Sequence, residues 1–307
     1  ILKEMGHKVV AVRHPMPYGD LVKQTSQRFA KISDLKKHDC TIEEMEEYEP
    51  HISRGQVIYS GVDYGVILEE AEKEADIIVW DGGNNDTAFY RPDLLITVAD
   101  PHRPGHEMLY YPGGTNVLLS DVVVINKIDT ADIDDINLVR DNVMTVNPDA
   151  IIVEAASPIT VDKPELIRDK NVLVVEDGPT LTHGEMTYGA GVVAAQKYGA
   201  ANLVDPRPFT VKSITATFEK YPEIGTLLPA MGYGAKQMKD LETTINRADC
   251  DTVIIATPID LRRIINIRKD TVRVGYDLQE IGHPNLEDIL QKEFGKSKKS
   301  GKTKKAK

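Results

Sequence analysis

The chain has 307 residues, with 37 basic (Lys and Arg) and 48 acidic (Asp and Glu) side chains, a formal net charge of −11 and 41% hydrophobic residues. That balance excludes a disordered, collagenous or miniature disulfide-stapled protein. No apolar run approaches the ~18 residues a membrane-spanning helix needs, and Cys40 and Cys250 alone are too few for a disulfide framework. A reducing, cytoplasmic setting is the default expectation, and the acidic balance argues against nonspecific binding to nucleic acid or anionic membrane.

In chain order, Ile1 to Met5 followed by Gly6-His7-Lys8 reads as the last turns of a helix and its glycine stop, which places the expected start of the protein upstream. Strands are expected at Val9 to Val12, Gln56 to Tyr59 and Ile77 to Trp80, with a helix over Asp63 to Ala75. Further strands follow at Leu94 to Val98, Val122 to Ile125 and Ile151 to Val153, with a helix over Asp132 to Val143. After a strand at Val172 to Val175, the Pro/Gly-rich stretch Asp177 to Pro208 breaks the alternation. Helices at Gly191 to Tyr198, Ala235 to Arg247 and Leu286 to Phe294 and strands at Thr252 to Ile255 and Thr271 to Val274 complete the pattern. Short apolar, β-branched runs alternating with helices predict an α/β fold of three layers around a doubly wound, mostly parallel sheet. In such sheets ligands sit at the carboxyl ends of the strands. The expected division is a nucleotide-binding domain over 1–190, a second α/β unit or a continuation of the first over 191–295, and a disordered tail over 296–307, where seven lysines and no acid stand together.

The sharpest chemical signal is Val122-Val123-Val124-Ile125-Asn126-Lys127-Ile128-Asp129, an apolar strand ending in Asn-Lys-x-Asp. In GTP-binding proteins this tetrapeptide reads the base: Asp accepts from guanine N1 and the N2 amino group, Asn supports the loop and the Lys stem covers the ring. The plain alternative is a strand followed by an Asp helix cap. Asp76-Ile77-Ile78-Val79-Trp80-Asp81-Gly82-Gly83 has the form of a Walker B element, in which the Asp81 carboxylate holds Mg²⁺, usually through water. The GTPase pattern Asp-x-x-Gly is not met, because the fourth position is Asn84. Ile151 to Ser157 ends in small residues, where Ala156 and Ser157 would back the guanine from its other side.

No Gly-x-x-x-x-Gly-Lys-Ser/Thr loop occurs at the end of a strand; Gly301-Lys302-Thr303 lies in the lysine tail with Lys296 where the first glycine belongs. The expectation is a P-loop-type fold that is incomplete at its N-terminus, its first strand and phosphate loop lying upstream.

Ile1 to His7, Val9 to Leu21, Trp80-Asp81-Gly82-Gly83-Asn84-Asn85-Asp86, Asp100-Pro101-His102-Arg103-Pro104-Gly105-His106 and Asn126-Lys127-Ile128-Asp129 together resemble the predicted GTPases labelled cyclic 2,3-diphosphoglycerate synthases, over nearly all of residues 1 to 295. The resemblance implies an upstream domain ending in the phosphate loop, and closure of an intramolecular phosphoanhydride in 2,3-bisphosphoglycerate driven by a nucleoside triphosphate and Mg²⁺. The label implies ATP, whereas Asn126-Lys127-Ile128-Asp129 argues for GTP. Tyr110-Tyr111-Pro112-Gly113-Gly114-Thr115-Asn116 is similar to the Gly-rich segment before the base-reading strand in urease and hydrogenase maturation GTPases.

Arg13, His14, Arg103 and His183 are the residues expected to handle phosphoryl groups, since Arg suits bidentate phosphate contact and all four follow apolar runs. A structural Pro-rich turn at Arg13 to Gly19 and a hydrogen-bonded turn at Asp177 to Glu185 are the plain alternatives. His102, His106 and Glu107 form a weaker candidate for a transition metal, and Pro229 to Lys236, Thr257, Arg262 and Arg263 for the acceptor pocket. The expected partners are a nucleoside triphosphate and an anionic phosphorylated small molecule, with a homo-oligomer left open. The rival reading is a GTP-dependent switch or metallochaperone acting on a protein partner.

Overall fold

A computed structural model describes residues 1–16, 19–83, 86–178, 188–231 and 234–295. Contacts divide the chain into two units, the first made of 1–40, 48–156 and the chain from Leu278 onward, the second of 41–47 and 157–277.

The first unit opens with β1 (Val9–Arg13), β2 (Gln27–Phe29), α1 (Ile32–Lys37), the part of α2 (Ile42–Ser53) from Tyr48 onward, β3 (Val57–Ser60), α3 (Tyr64–Ala71) and β4 (Ile77–Trp80). The strands lie in the order β2-β3-β1-β4, parallel except for the β2–β3 pair. Asp63 caps α3 by accepting from the Val66 amide, and Val10, Val12, Ile67 and Ala71 bury the contact between helix and sheet. A second sheet is formed by β5 (Ile96–Ala99), β6 (Val122–Ile125) and β7 (Ile151–Ala156), all parallel, with α4 (His106–Leu109), α5 (Gly113–Leu119) and α6 (Ile133–Val146) between them.

The second unit contains β8 (Ile159–Val161), β9 (Asn171–Asp177), α7 (Ala190–Lys197), β10 (Asn202–Leu203), α8 (Lys212–Lys220), β11 (Leu228–Ala230), α9 (Ala235–Arg247), β12 (Thr252–Ala256) and β13 (Asp270–Tyr276). Its strands run β10-β9-β12-β13-β8, with β11 also on β9, and only β8 is antiparallel. The chain then returns to the first unit through β14 (Gln279–Ile281), antiparallel to β7, and α10 (Leu286–Phe294).

Strands buried on both faces explain the continuous apolar runs. In β6, Val123 and Ile125 pack against Ile136, Val139 and Val143 of α6, whereas Val122 and Val124 face Ile289 of α10. Each such fully buried side chain stabilises the fold by about 1.5–3 kcal/mol. The α/β class with mostly parallel sheets is as expected, and every apolar run named above forms a strand. Contacts part the chain at 156/157, whereas the sequence pattern placed the boundary near 190. The physical reason is that β9 shares one core with β12, Val172 to Val175 packing with Val253 to Ile255. The start is a turn with Gly6 at φ 86°, and α1, α2 and β2 fill the interval between the first two expected strands. The lysine tail lies outside the described residues.

Candidate functional site

Parallel pairing sets Val12 opposite Trp80, so β1 and β4 deliver the residues that follow them to one place. The Asp81 amide donates to the Val12 carbonyl at 2.9 Å, which fixes the start of the loop. The Asp81 carboxylate meets Arg13 Nη1 at 3.1 Å through Oδ1 and His51 Nε2 at 2.8 Å through Oδ2. Burial pushes the Asp81 carboxyl up, but the hydrogen bond from His51 and the Arg13 charge outweigh it and hold the group below the usual carboxylate range. His14 Nδ1 lies 2.6 Å from Asp86 Oδ2, the same oxygen that accepts from the Gly83 amide at 2.8 Å. Three of the expected residues, Arg13, His14 and Asp81, therefore converge, joined by His51 and Asp86. Gly82 has a packing reason of its own: a Cβ there would stand 2.8 Å from the Trp80 indole nitrogen.

The Asn126 loop hangs between two strands, the Asn126 amide on the Ala99 carbonyl (3.0 Å) and the Ile128 amide on the Ala155 carbonyl (3.2 Å). Lys127 takes a left-handed φ of 60°, which costs a side-chain-bearing residue about 1 kcal/mol. Its Nζ pairs with Asp100 Oδ2 at 2.5 Å. Burial raises the Asp100 carboxyl, yet the Lys127 hydrogen bond and charge leave it below its ordinary value. Asn126 Oδ1 is buried with no donor, an arrangement that costs about 1–3 kcal/mol unless something supplies one. Asp129 is exposed, and Ala156 closes β7 at 7% exposure. Ser157, the next residue, begins the longer stretch of the second unit, 157–277.

The remaining candidates distribute as follows. Arg103 is exposed on the loop after β5, where its amide donates to the Asp100 carbonyl at 3.0 Å. His102 Nε2 meets Thr130 Oγ1 at 2.9 Å, His106 stacks edge-on against Tyr110, and Glu107 accepts from the Gly105 amide and Asn142 Nδ2. Each is thus committed to a local partner, and no group of three metal-ligating side chains stands together among the described residues. Thr257 donates to the Ile259 carbonyl in the second unit, and Arg262 is held by Asp260 and Asp162, so neither is set up for an acceptor. His183, Gly232 and Tyr233 lie outside the described residues. His51 had not been singled out from the sequence, and Asp86 only as the last residue of the Trp80 to Asp86 motif; Thr41-x-x-Glu44, which forms a capping box at the start of α2, was the signal for the helix that carries His51.

No family model matches the chain. It is 66% identical over 291 residues to "Arginine synthetase ArcE" of Thermococcus kodakarensis (strain ATCC BAA-918 / JCM 12380 / KOD1), a match covering 95% of this chain and 65% of that protein. The chain thus spans just under two thirds of the curated relative's length. Among solved structures, the "apo" form of LpxK from Aquifex aeolicus in complex with ATP is similar over 95% of this chain and 80% of that one, at 11% identity and a TM-score of 0.49, a likeness too loose to carry an argument. No helix of the described residues is long and apolar enough to cross a membrane.

Proposed function

We propose that this chain carries the nucleotide-handling face of a nucleoside-triphosphate-dependent synthetase, in a P-loop-type fold whose phosphate cradle belongs to a part of the protein outside this sequence. The observation that supports this most is the Asn126-Lys127-Ile128-Asp129 loop. It is suspended at the end of a fully buried strand, with Asn126 Oδ1 buried and lacking a donor and Asp129 exposed in the same loop. A purine edge or the backbone of a phosphate loop would supply the donor. In this reading Asp129 reads guanine, the Lys127 stem lies against the ring, and Ala156 and Ser157 back it.

Asp81 fits Mg²⁺ through water, its two carboxylate oxygens being held in place by Arg13 and His51. Mg²⁺ commonly keeps several waters and takes substrate phosphates as direct ligands, so one oriented carboxylate suffices. The ion would neutralise charge on the transferred phosphoryl group. Arg13, His14 and Arg103, with His183, would hold phosphate oxygens, since phosphoryl transfer depends on positioning and charge neutralisation. The relative's name favours a reaction that forms arginine. The loops Asp81 to Asp86 and Asp100 to His106 favour the second reading, cyclisation of 2,3-bisphosphoglycerate.

Titration calorimetry of GTP·Mg²⁺ and ATP·Mg²⁺ into the full-length protein and its Asp129→Ala variant tests the base site. One bidentate contact is worth about 1–3 kcal/mol, so the variant should bind GTP roughly ten- to hundredfold more weakly and ATP unchanged. Equal binding of both nucleotides, untouched by the substitution, would defeat guanine reading. Nucleotide consumption that depends on 2,3-bisphosphoglycerate, against phosphate exchange in the nucleotide that depends on arginine, separates the two products.

A further inference from the structure

The second unit holds a cavity of about 450 Å³ that the proposed function leaves unused. Sites for small molecules commonly measure roughly 300–1,000 Å³. Three pieces of chain wall it: the first turns of α2 through Ile42 and Met45, the start of α9 through Ala235 and Met238, and the segment after β12 through Ile264 and Ile265. The walls are held from behind. Ile42, Met45 and Ile264 pack against the core in which Met238 and Ile265 are buried. The Thr41 amide donates to Glu44 Oε2 at 2.7 Å and fixes the start of α2, while Asp240 Oδ2 accepts from Ser213 Oγ at 2.7 Å and fixes α9. The Asn266 amide, next to Ile265, donates to Glu242 Oε2 at 3.0 Å and ties the third wall to α9.

The lining is chemically lopsided. Its apolar side chains include two methionines, whose unbranched thioethers adapt to ligands of different shape. Its only charged groups among the described residues are Lys239 and Glu242, which pair at 2.9 Å. Glu242 is fully engaged, with one oxygen on Lys239 and the other on the Asn266 amide. Lys239 keeps capacity in reserve: an ammonium has three donors, one serves Glu242, and the side chain is 73% exposed. A cation therefore finds its carboxylate already taken, and a polyphosphate meets one positive charge where it needs several. A single carboxylate on an apolar body matches both the floor and the rim.

We infer that this cavity binds a small free monocarboxylate with an aliphatic body, the body lying among Met45, Met238 and Ile265 and the carboxylate on Lys239. The occupant is a free molecule and not a protein chain, because eight lining residues fall far short of the roughly 20–30 that a protein partner covers. Buried methylenes supply the affinity, about three- to fourfold for each one removed from water. Lys239 supplies the choice of head group.

Titration calorimetry on the full-length protein without nucleotide tests it, with hexanoate, heptanoate, octanoate and octan-1-ol as probes. Affinity should rise about three- to fourfold per added methylene, and octanoate should bind roughly two- to fivefold more tightly than octan-1-ol. Lys239→Gln should remove that preference for the carboxylate and leave octan-1-ol binding as it was. Ala235 is an exposed lining residue, so Ala235→Trp should fill the cavity and abolish binding of all four probes with the thermal midpoint unchanged. An absence of binding overturns the inference, since another part of the protein or a second copy would then occupy the space. Binding that survives Ala235→Trp, or that treats octan-1-ol and octanoate alike, overturns it as well. Because no nucleotide enters these titrations, failure to bind GTP or ATP would defeat the proposed function and leave this site standing.

Discussion

Glu176→Gln in the second unit should change how stability depends on pH. Glu176 is the next-to-last residue of β9, at 4% exposure, and its Oε1 accepts from the amides of Gly191 (2.8 Å) and Val192 (3.1 Å) at the start of α7. Burial raises its carboxyl to about 7 against the pull of these amides and of Gly189, with the Asp177 charge adding to the rise. Between about pH 4.5, its ordinary value, and about pH 7 the folded protein holds a proton that the unfolded chain has released. The unfolded state binds fewer protons there, so stability falls as pH rises, by about 1.4 kcal/mol per pH unit, and levels off above. Over the whole interval that amounts to ~3 kcal/mol, a sizeable share of the stability of a typical domain. Glutamine keeps the size and an acceptor oxygen but cannot ionise. In urea unfolding followed by circular dichroism, the wild type should lose ~3 kcal/mol relative to the variant between about pH 5 and about pH 8. Every other ionisable side chain is present in both proteins and cancels in the difference. A difference that stays constant across that range would refute the reasoning.

The same neighbourhood makes Gly191 intolerant of a side chain. A Cβ would lie 2.6 Å from Val174 Cγ1 and 2.9 Å from the Ala256 methyl, so Gly191→Ala should cost about 1–3 kcal/mol, seen as a lower urea midpoint with unchanged slope. In the first unit, His51→Ala removes the hydrogen bond that does most to hold the Asp81 carboxyl down. The titration of Asp81, followed by carbon-detected NMR, should then move up in pH; an unmoved titration would show that Arg13 alone sets it.

Much of the fold was legible because strands buried on both faces leave continuous apolar runs, as Val122-Val123-Val124-Ile125 does. What the runs do not encode is pairing. Nothing in Ile77 to Trp80 or Ile96 to Ala99 says that their outer edges stand open, since register and neighbour are long-range properties. The region from 27 to 53 was missed for local reasons. β2 is three residues long, and α2 is rich in glutamate with Pro50 inside it, so its apolar stripe is faint. Missing α2 hid His51, which reaches Asp81 from thirty positions away in sequence. In the candidate site, Asn126, Lys127, Asp129 and Asp81 were visible because each follows an apolar strand directly. Asp100 and Asp86 stood in quoted motifs, but their pairing with Lys127 and His14 became visible only with the geometry.

The discontinuity of the first unit bears on how the protein is made. The outer face of its second sheet, Val122, Val124 and Val153, is covered by Ile289, which leaves the ribosome long after β7. Residues 157–277 form a contiguous block with a core of its own and can close as soon as they emerge. At typical elongation rates the interval between β7 and Ile289 lasts on the order of ten seconds. For that time the nascent chain would carry one folded unit and one apolar sheet still waiting for its cover, and that sheet is where an early termination or a chaperone would act.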